Sequence, residues 1–92
     1  MNEGRELDAR IADQVIGVKF NVLIMPYYST SLSDAWLVVE HMQRKEYEVD
    51  LIFTPSNGWS VTFNGPTYGM ACEATESLPH LICLAALKAV QP

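Results

Sequence analysis

Apolar residues recur at helical spacing near the start of the chain. Leu7, Ile11, Ala12, Val15 and Ile16 predict a helix over residues 3–16. Glu3, Glu6 and Asp8 sit in its first turns, where negative charge suits the positive end of the helix dipole. Gly17 follows the last apolar residue and suits the left-handed position that ends a helix. Residues 18–25 then alternate, with Val18, Phe20, Val22 and Ile24 on one face, and predict a strand that Pro26 ends. A second helix follows the loop Tyr27-Tyr28-Ser29-Thr30-Ser31. Ser31 and Asp34 fit a capping box with Asp in the usual Glu position, and Thr30 or Ser29 is an alternative cap. Leu32, Ala35, Trp36, Val39 and Met42 form its apolar stripe, with Glu40, His41, Gln43, Arg44 and Lys45 mostly on the wet side.

Alternation returns over residues 47–54, with Tyr47, Val49, Leu51 and Phe53 inward. It resumes over 59–63, with Trp59, Val61 and Phe63 inward. Pro55-Ser56-Asn57-Gly58 lies between them, and Asn-Gly readily adopts positive φ, so the pair predicts an antiparallel hairpin with one apolar face. After Asn64-Gly65-Pro66, residues 68–75 predict a short third strand of the same sheet, rich in small residues. Pro79 suits the first turn of a last helix ending near Val90, capped by Ser77 or Leu78. The order α-β-α-β-β-β-α describes an α+β fold. A small antiparallel sheet of three to four strands packs with three helices in helix–sheet–helix layers, as one domain over residues 1–92.

The last helix constrains everything else. Within Leu78–Val90 only Pro79, His80 and Lys88 are not apolar. A helix lying on a sheet needs one apolar stripe. This one has three: Leu81 and Leu84 on one side, Ile82, Ala86 and Ala89 on a second, Cys83, Leu87 and Val90 on a third. Exposing large side chains forgoes roughly 1.5–3 kcal/mol each. Either the sheet and the other helices enclose this helix, or a second copy packs against Ile82, Ala86 and Ala89. The small residues there favour the homodimer.

Composition narrows the partners. The 92 residues include 11 acids and 6 bases, a net charge of −5. That charge disfavours direct binding to nucleic acid and to anionic membranes and favours a partner with a basic surface. The polar start, Met1-Asn2-Glu3-Gly4-Arg5-Glu6, does not read as a signal peptide, and the longest apolar run, Leu81–Leu87, is too short to span a bilayer. Cys72 and Cys83 read as buried thiols in a reducing compartment, with a single bridge between them as the alternative.

Little in the chain carries chemistry. His41 and His80 read as structural, and Cys72, His80 and Cys83 supply three ligands in no familiar zinc spacing. No serine or cysteine stands beside a base, so we expect no enzyme, cofactor or metal. Tyr27, Tyr28, Ser29, Thr30 and Ser31 are the candidate ligand-binding set: tyrosines for stacking, hydroxyls and free N–H groups for an anion at a helix N-terminus. Packing and capping account for the same residues. Trp36 and Trp59, with Ile82, Ala86 and Ala89, are the candidate interface residues, the tryptophans also fitting a core. The order from Ser31 to Val90 resembles the double-stranded RNA-binding domain. The start of the last helix, Leu78-Pro79-His80-Leu81, lacks the basic cluster such binding needs.

The opening Met1-Asn2-Glu3-Gly4-Arg5-Glu6-Leu7-Asp8-Ala9-Arg10-Ile11-Ala12 and the ending Pro79-His80-Leu81-Ile82-Cys83-Leu84-Ala85-Ala86-Leu87-Lys88-Ala89-Val90 resemble small bacteriophage proteins of the phage ABA sandwich type. Tyr28-Ser29-Thr30 followed by Ala35-Trp36-Leu37-Val38-Val39-Glu40 is similar to that family's central helix. The chain departs at Ser31, where members often carry an acid, and in the apolar segment 18–26. The resemblance implies a phage origin, action in the host bacterial cytoplasm and a layered helix–sheet–helix fold, with no family activity to carry over. The expectation is a non-enzymatic phage accessory protein that binds, antagonising host defence by occluding a bacterial host protein or sequestering a small anionic nucleotide. A structural or regulatory phage component is the alternative.

Overall fold

A computed structural model describes residues 2–19, 21, 23–65, 69–72 and 77–90 of the chain, with 69–72 described by backbone alone. Three helical segments and an antiparallel sheet make an α+β fold. The last helix, α3 (Leu78–Val90), is its centre: of its side chains only Lys88 is exposed. Ser77 caps it, Oγ accepting from His80 N–H at 3.4 Å. The sheet covers one side of α3. The second helix, α2 (Leu32–Arg44), and the end of the first helical segment cover the others. The outer face of the first strand, at Glu48, Asp50 and Ile52, is exposed. The expected homodimer face is corrected. Ile82, Ala86 and Ala89 are buried within the chain's own fold, so one copy satisfies the helix. Cys83 is a free thiol in that core, and the side chain of Cys72 lies outside the described residues.

The first helical segment begins later than predicted. Gly4, at φ +136°, precedes α1 (Arg5–Arg10), which runs into a π-helical stretch, Ile11–Ile16. A wider turn brings residues four apart closer to one line, and Leu7, Ile11 and Val15, spaced in that way, are all buried. Gly17 takes the expected left-handed conformation, φ +82°, and both it and Val18 donate to the Ala12 carbonyl, at 2.8 and 2.9 Å.

The strand expected over 18–25 is absent from the described part of that segment; Phe20 and Val22 lie outside it. Asn21 is the reason. Its side chain accepts from Leu23 N–H at 3.0 Å, and its carbonyl accepts from Ile24 and Met25 N–H, both at 3.0 Å. Asparagine competes for the backbone in this way, folding it into a turn before a ladder forms. Leu23 and Ile24 are left in solvent and Met25 turns into the core.

α2 buries Ala35, Val38, Val39 and Met42. Leu32 and Trp36, expected in that stripe, are exposed instead. The helix is apolar over more of its circumference than one buried stripe covers, and the burial centres on Ala35 and Val38. Its end is a Schellman motif: Tyr47 N–H reaches the Met42 carbonyl at 3.1 Å and Glu46 N–H the Gln43 carbonyl at 2.9 Å. Glu46 occupies the left-handed position at φ +69°, where glycine is the usual residue. Tyr47 then enters the core, its hydroxyl donating to the Ala89 carbonyl at 3.2 Å, which ties α3 to the sheet. Gly65 packs on that ring so closely that a Cβ there would lie 2.7 Å from Tyr47 Cε1.

Strands β1 (Glu48–Thr54) and β2 (Gly58–Asn64) form the expected hairpin, with Val49 opposite Phe63, Leu51 opposite Val61 and Phe53 opposite Trp59. Asn57 N–H bonds both Thr54 oxygens, at 3.2 and 3.3 Å, and Gly58 supplies the positive φ, +76°. Val61 and Phe63 are fully buried, but Phe53 is exposed. It lies at the turn end, where the helices no longer cover the sheet, and leans on Trp59 with ring centroids 5.2 Å apart. β3 (Gly69–Cys72) runs antiparallel along the other edge of β2.

Replacing Glu46 by glycine removes the cost of a side chain in the left-handed region. Glu46→Gly is expected to raise the unfolding free energy by roughly 0.5–1 kcal/mol, measured by urea denaturation.

Candidate functional site

The loop from Tyr27 to Ser31 divides into a buried and an exposed half. Asp8, on α1, is completely buried, and its carboxylate organises the buried half. Oδ1 accepts from Ser29 N–H at 2.8 Å and from Ser29 Oγ at 2.6 Å, while Oδ2 accepts from Arg5 Nη1 at 2.9 Å. Arg5 continues to the carbonyls of Met25 (2.7 Å) and Pro26 (3.1 Å) and stacks on the Tyr27 ring, 4.0 Å from its centroid. Ser29 Oγ, its proton directed to Asp8, accepts from Gly4 N–H at 2.9 Å. Each polar group introduced into the interior here has a partner, as burial requires.

Ser29 and Tyr28 are therefore unavailable to a ligand in this conformation: both are buried. Burial pushes the Tyr28 hydroxyl above its ordinary pKa, with Asp34, Cys83 and Asp8 adding to the shift. Ser31 is the helix cap, accepting from Asp34 N–H at 3.4 Å. The Asp34 carboxylate reaches back past the cap to Tyr27 N–H, at 2.8 Å, so only half of the capping box forms. That carboxylate stands at the end of α2 where a phosphate would have to sit, and Arg5 is already engaged with Asp8. Tyr27 and Thr30 are what the loop presents to solvent.

Burial, with Asp8 nearby, raises the Cys83 thiol far above its ordinary range and keeps it protonated. Ser29 Oγ is buried between Asp8 and Gly4, away from solvent. Among the described residues no three His, Cys, Asp or Glu side chains converge on a metal position. No described helix is long and apolar enough to cross a membrane. A cleft of about 430 Å³ beside α1 is lined by Glu6, Arg10, Asp13 and Lys19, charges of both signs facing water.

Several large apolar side chains stand in solvent, and three of them lie on the outward side of α2. Leu32, Trp36 and Leu37 are 51%, 43% and 44% exposed. Leu32 and Trp36 are four apart and so stack along the helix, with Ser33 and Glu40 between them and Leu37. Of the candidate interface residues, Trp36 is thus outward, Trp59 half-buried against Phe53, and the three α3 residues internal. Leu37 was not singled out by the pattern, because it lies outside the stripe drawn for α2. Arg5 and Asp8, three apart, carried the signal of a helix ion pair without any sign of where the pair would be buried.

The phage ABA sandwich domain model matches residues 9–87. The chain belongs to the phage ABA sandwich domain family. A crystal structure of a phage protein from Bacillus cereus ATCC 14579 is similar to this ABA sandwich chain, with 28% identity and a TM-score of 0.82. The match covers 98% of this chain and 88% of that one. No curated protein matches it.

Two predictions concern the packing of the first helical segment. Asp8→Ala removes the acceptor of Ser29 N–H and Oγ and one partner of the Arg5 guanidinium, and is expected to lower stability by about 2–4 kcal/mol in urea denaturation. His41, on α2, has Nε2 buried with no hydrogen-bond partner among the described residues. Desolvation, then Lys45 and Arg44, lower its pKa from 6.5, against the opposing effect of the Val15 carbonyl. The unfolded chain therefore takes up this proton more readily than the folded one. Its contribution to stability is complete above pH 6.5 and is lost as the pH falls below it. Urea denaturation on either side of that pH is expected to show the loss, and His41→Gln to reduce it.

Proposed function

We propose that this ABA sandwich protein is a non-enzymatic phage accessory protein that works in the host bacterial cytoplasm by binding, and that its target is a host defence protein which it occludes. The outward face of α2 carries the reading. A helix on a water-facing surface has no use for Leu32, Trp36 and Leu37 together, whereas an interface core does. Tryptophan is the residue most often central to binding energy in such interfaces. The net charge of −5 supports a target whose surface around that core is basic.

The competing reading, sequestration of a small anionic nucleotide by Tyr27–Ser31, is weakened by the burial of Tyr28 and Ser29 and by Asp34 at the helix end. The two readings separate in one experiment. Tagged wild-type protein and the double variant Trp36→Ala/Leu37→Ser, matched for thermal stability, are passed through lysate of a defended host. Proteins and small molecules are then quantified by mass spectrometry, and phage plating is measured alongside. The wild type is expected to retain a host protein and to protect phage, and the variant to do neither. Equal retention by both, or recovery of a nucleotide with no protein, overturns the proposal.

A further inference from the structure

β1 is an outside strand of the sheet, paired with β2 on one side and, among the described residues, with no strand on the other. Every second residue of such a strand points its N–H and C=O away from its neighbour. Proteins ordinarily protect an edge of this kind with charged side chains, above all lysine, or with proline, a bulge or a covering element. Glu48–Thr54 contains neither residue, and its one-to-one register with β2 is unbroken by a bulge. Its only charges, Glu48 and Asp50, share the exposed outer face, and Glu46 precedes them. On the other face Val49 and Leu51 are half-buried and Phe53 is exposed at 57%. α2 packs against β1 itself.

We infer that the edge of β1 accepts an extended segment of the protein partner as an added strand, one that alternates basic with apolar side chains. This rests on the reading that the chain works by binding a protein. The backbone row supplies the hydrogen bonds and the two faces supply the selection. Basic side chains on one face of the incoming strand meet Glu48 and Asp50, while apolar ones on the other continue the row of Val49, Leu51 and Phe53. A second copy is a poor occupant, because it brings its own Glu46, Glu48 and Asp50 to the seam and opposes one net charge of −5 with another.

The test uses the full chain and a short synthetic peptide alternating lysine and valine. Binding is followed by amide chemical shifts and hydrogen exchange. The expected result is saturable binding that slows exchange at alternate amides of Glu48–Thr54 and weakens with salt. Glu48→Lys/Asp50→Lys is expected to weaken it on the order of tenfold or more, and a peptide N-methylated at alternate amides is expected not to bind. Equal binding of the methylated peptide shows charge attraction without strand addition and overturns the inference. So does protection of β1 without peptide in a dimer seen by light scattering. If the peptide fails while the Trp36-dependent capture of a host protein persists, the inference falls and the proposed function stands.

Discussion

A single apolar helix dictates the arrangement of this protein. α3 exposes only Lys88, so its cover has to come from every direction at once. The sheet supplies one wall through Val61 and Phe63, α2 supplies another through Ala35, Val38, Val39 and Met42, and Leu7, Ile11 and Val15 close the remainder. A chain of 92 residues has little apolar surface to spare. The first helical segment is held in place by more than its own contacts: its far side is fastened to the 25–31 loop through Asp8. The buried carboxylate ties together Gly4, Arg5 and Ser29, and Arg5 extends the tie to Met25 and Pro26. A charge at this depth is tolerated because three donors meet it, two at Oδ1 from Ser29 and one at Oδ2 from the Arg5 guanidinium.

That dependence explains which parts of the fold were legible beforehand. The composition of α3 stated the requirement for all-round cover, and the alternation of β1 and β2 stated which face of the hairpin would supply part of it. Gly17 and the Asn57-Gly58 turn were readable because positive φ has few alternative hosts. Which chain supplied the cover was not readable. Ile82, Ala86 and Ala89 suit close approach equally well from a second copy or from within, and only the three-dimensional path of the first helical segment decides between them. The segment 18–25 misled for a local reason: its period-two pattern is real, but one Asn side chain closes a turn before any strand could find a partner.

The candidate loop was half legible. Hydroxyls at Ser29, Thr30 and Ser31 before a helix announce capping and anion binding in the same letters. What separates the two is the position of Asp8, twenty-one residues earlier than Ser29. It claims Ser29 from a direction that periodicity cannot show, and Asp34 fills the end of α2 with a carboxylate. Trp36 was legible as a residue of consequence but not as an exposed one, since the stripe that includes it overlaps the stripe the fold buries.

Covering α3 uses one face of each surrounding element and leaves their other faces to water, so the residues beyond those faces need a separate explanation. Solubility would be served by polar side chains at Leu32, Trp36, Leu37 and Phe53, and none of these positions contributes to the core cluster. Apolar residues there reduce the protein's preference for being alone in water without improving its interior. A partner that removes them from solvent recovers that loss, and the acids beside them, Glu40 on α2 and Glu48 and Asp50 on β1, restrict which partners approach closely enough to do so. The same economy of size that leaves the helices around α3 single-sided thus leaves Leu32, Trp36, Leu37 and Phe53 outside the interior, and the proposed function assigns them to a partner.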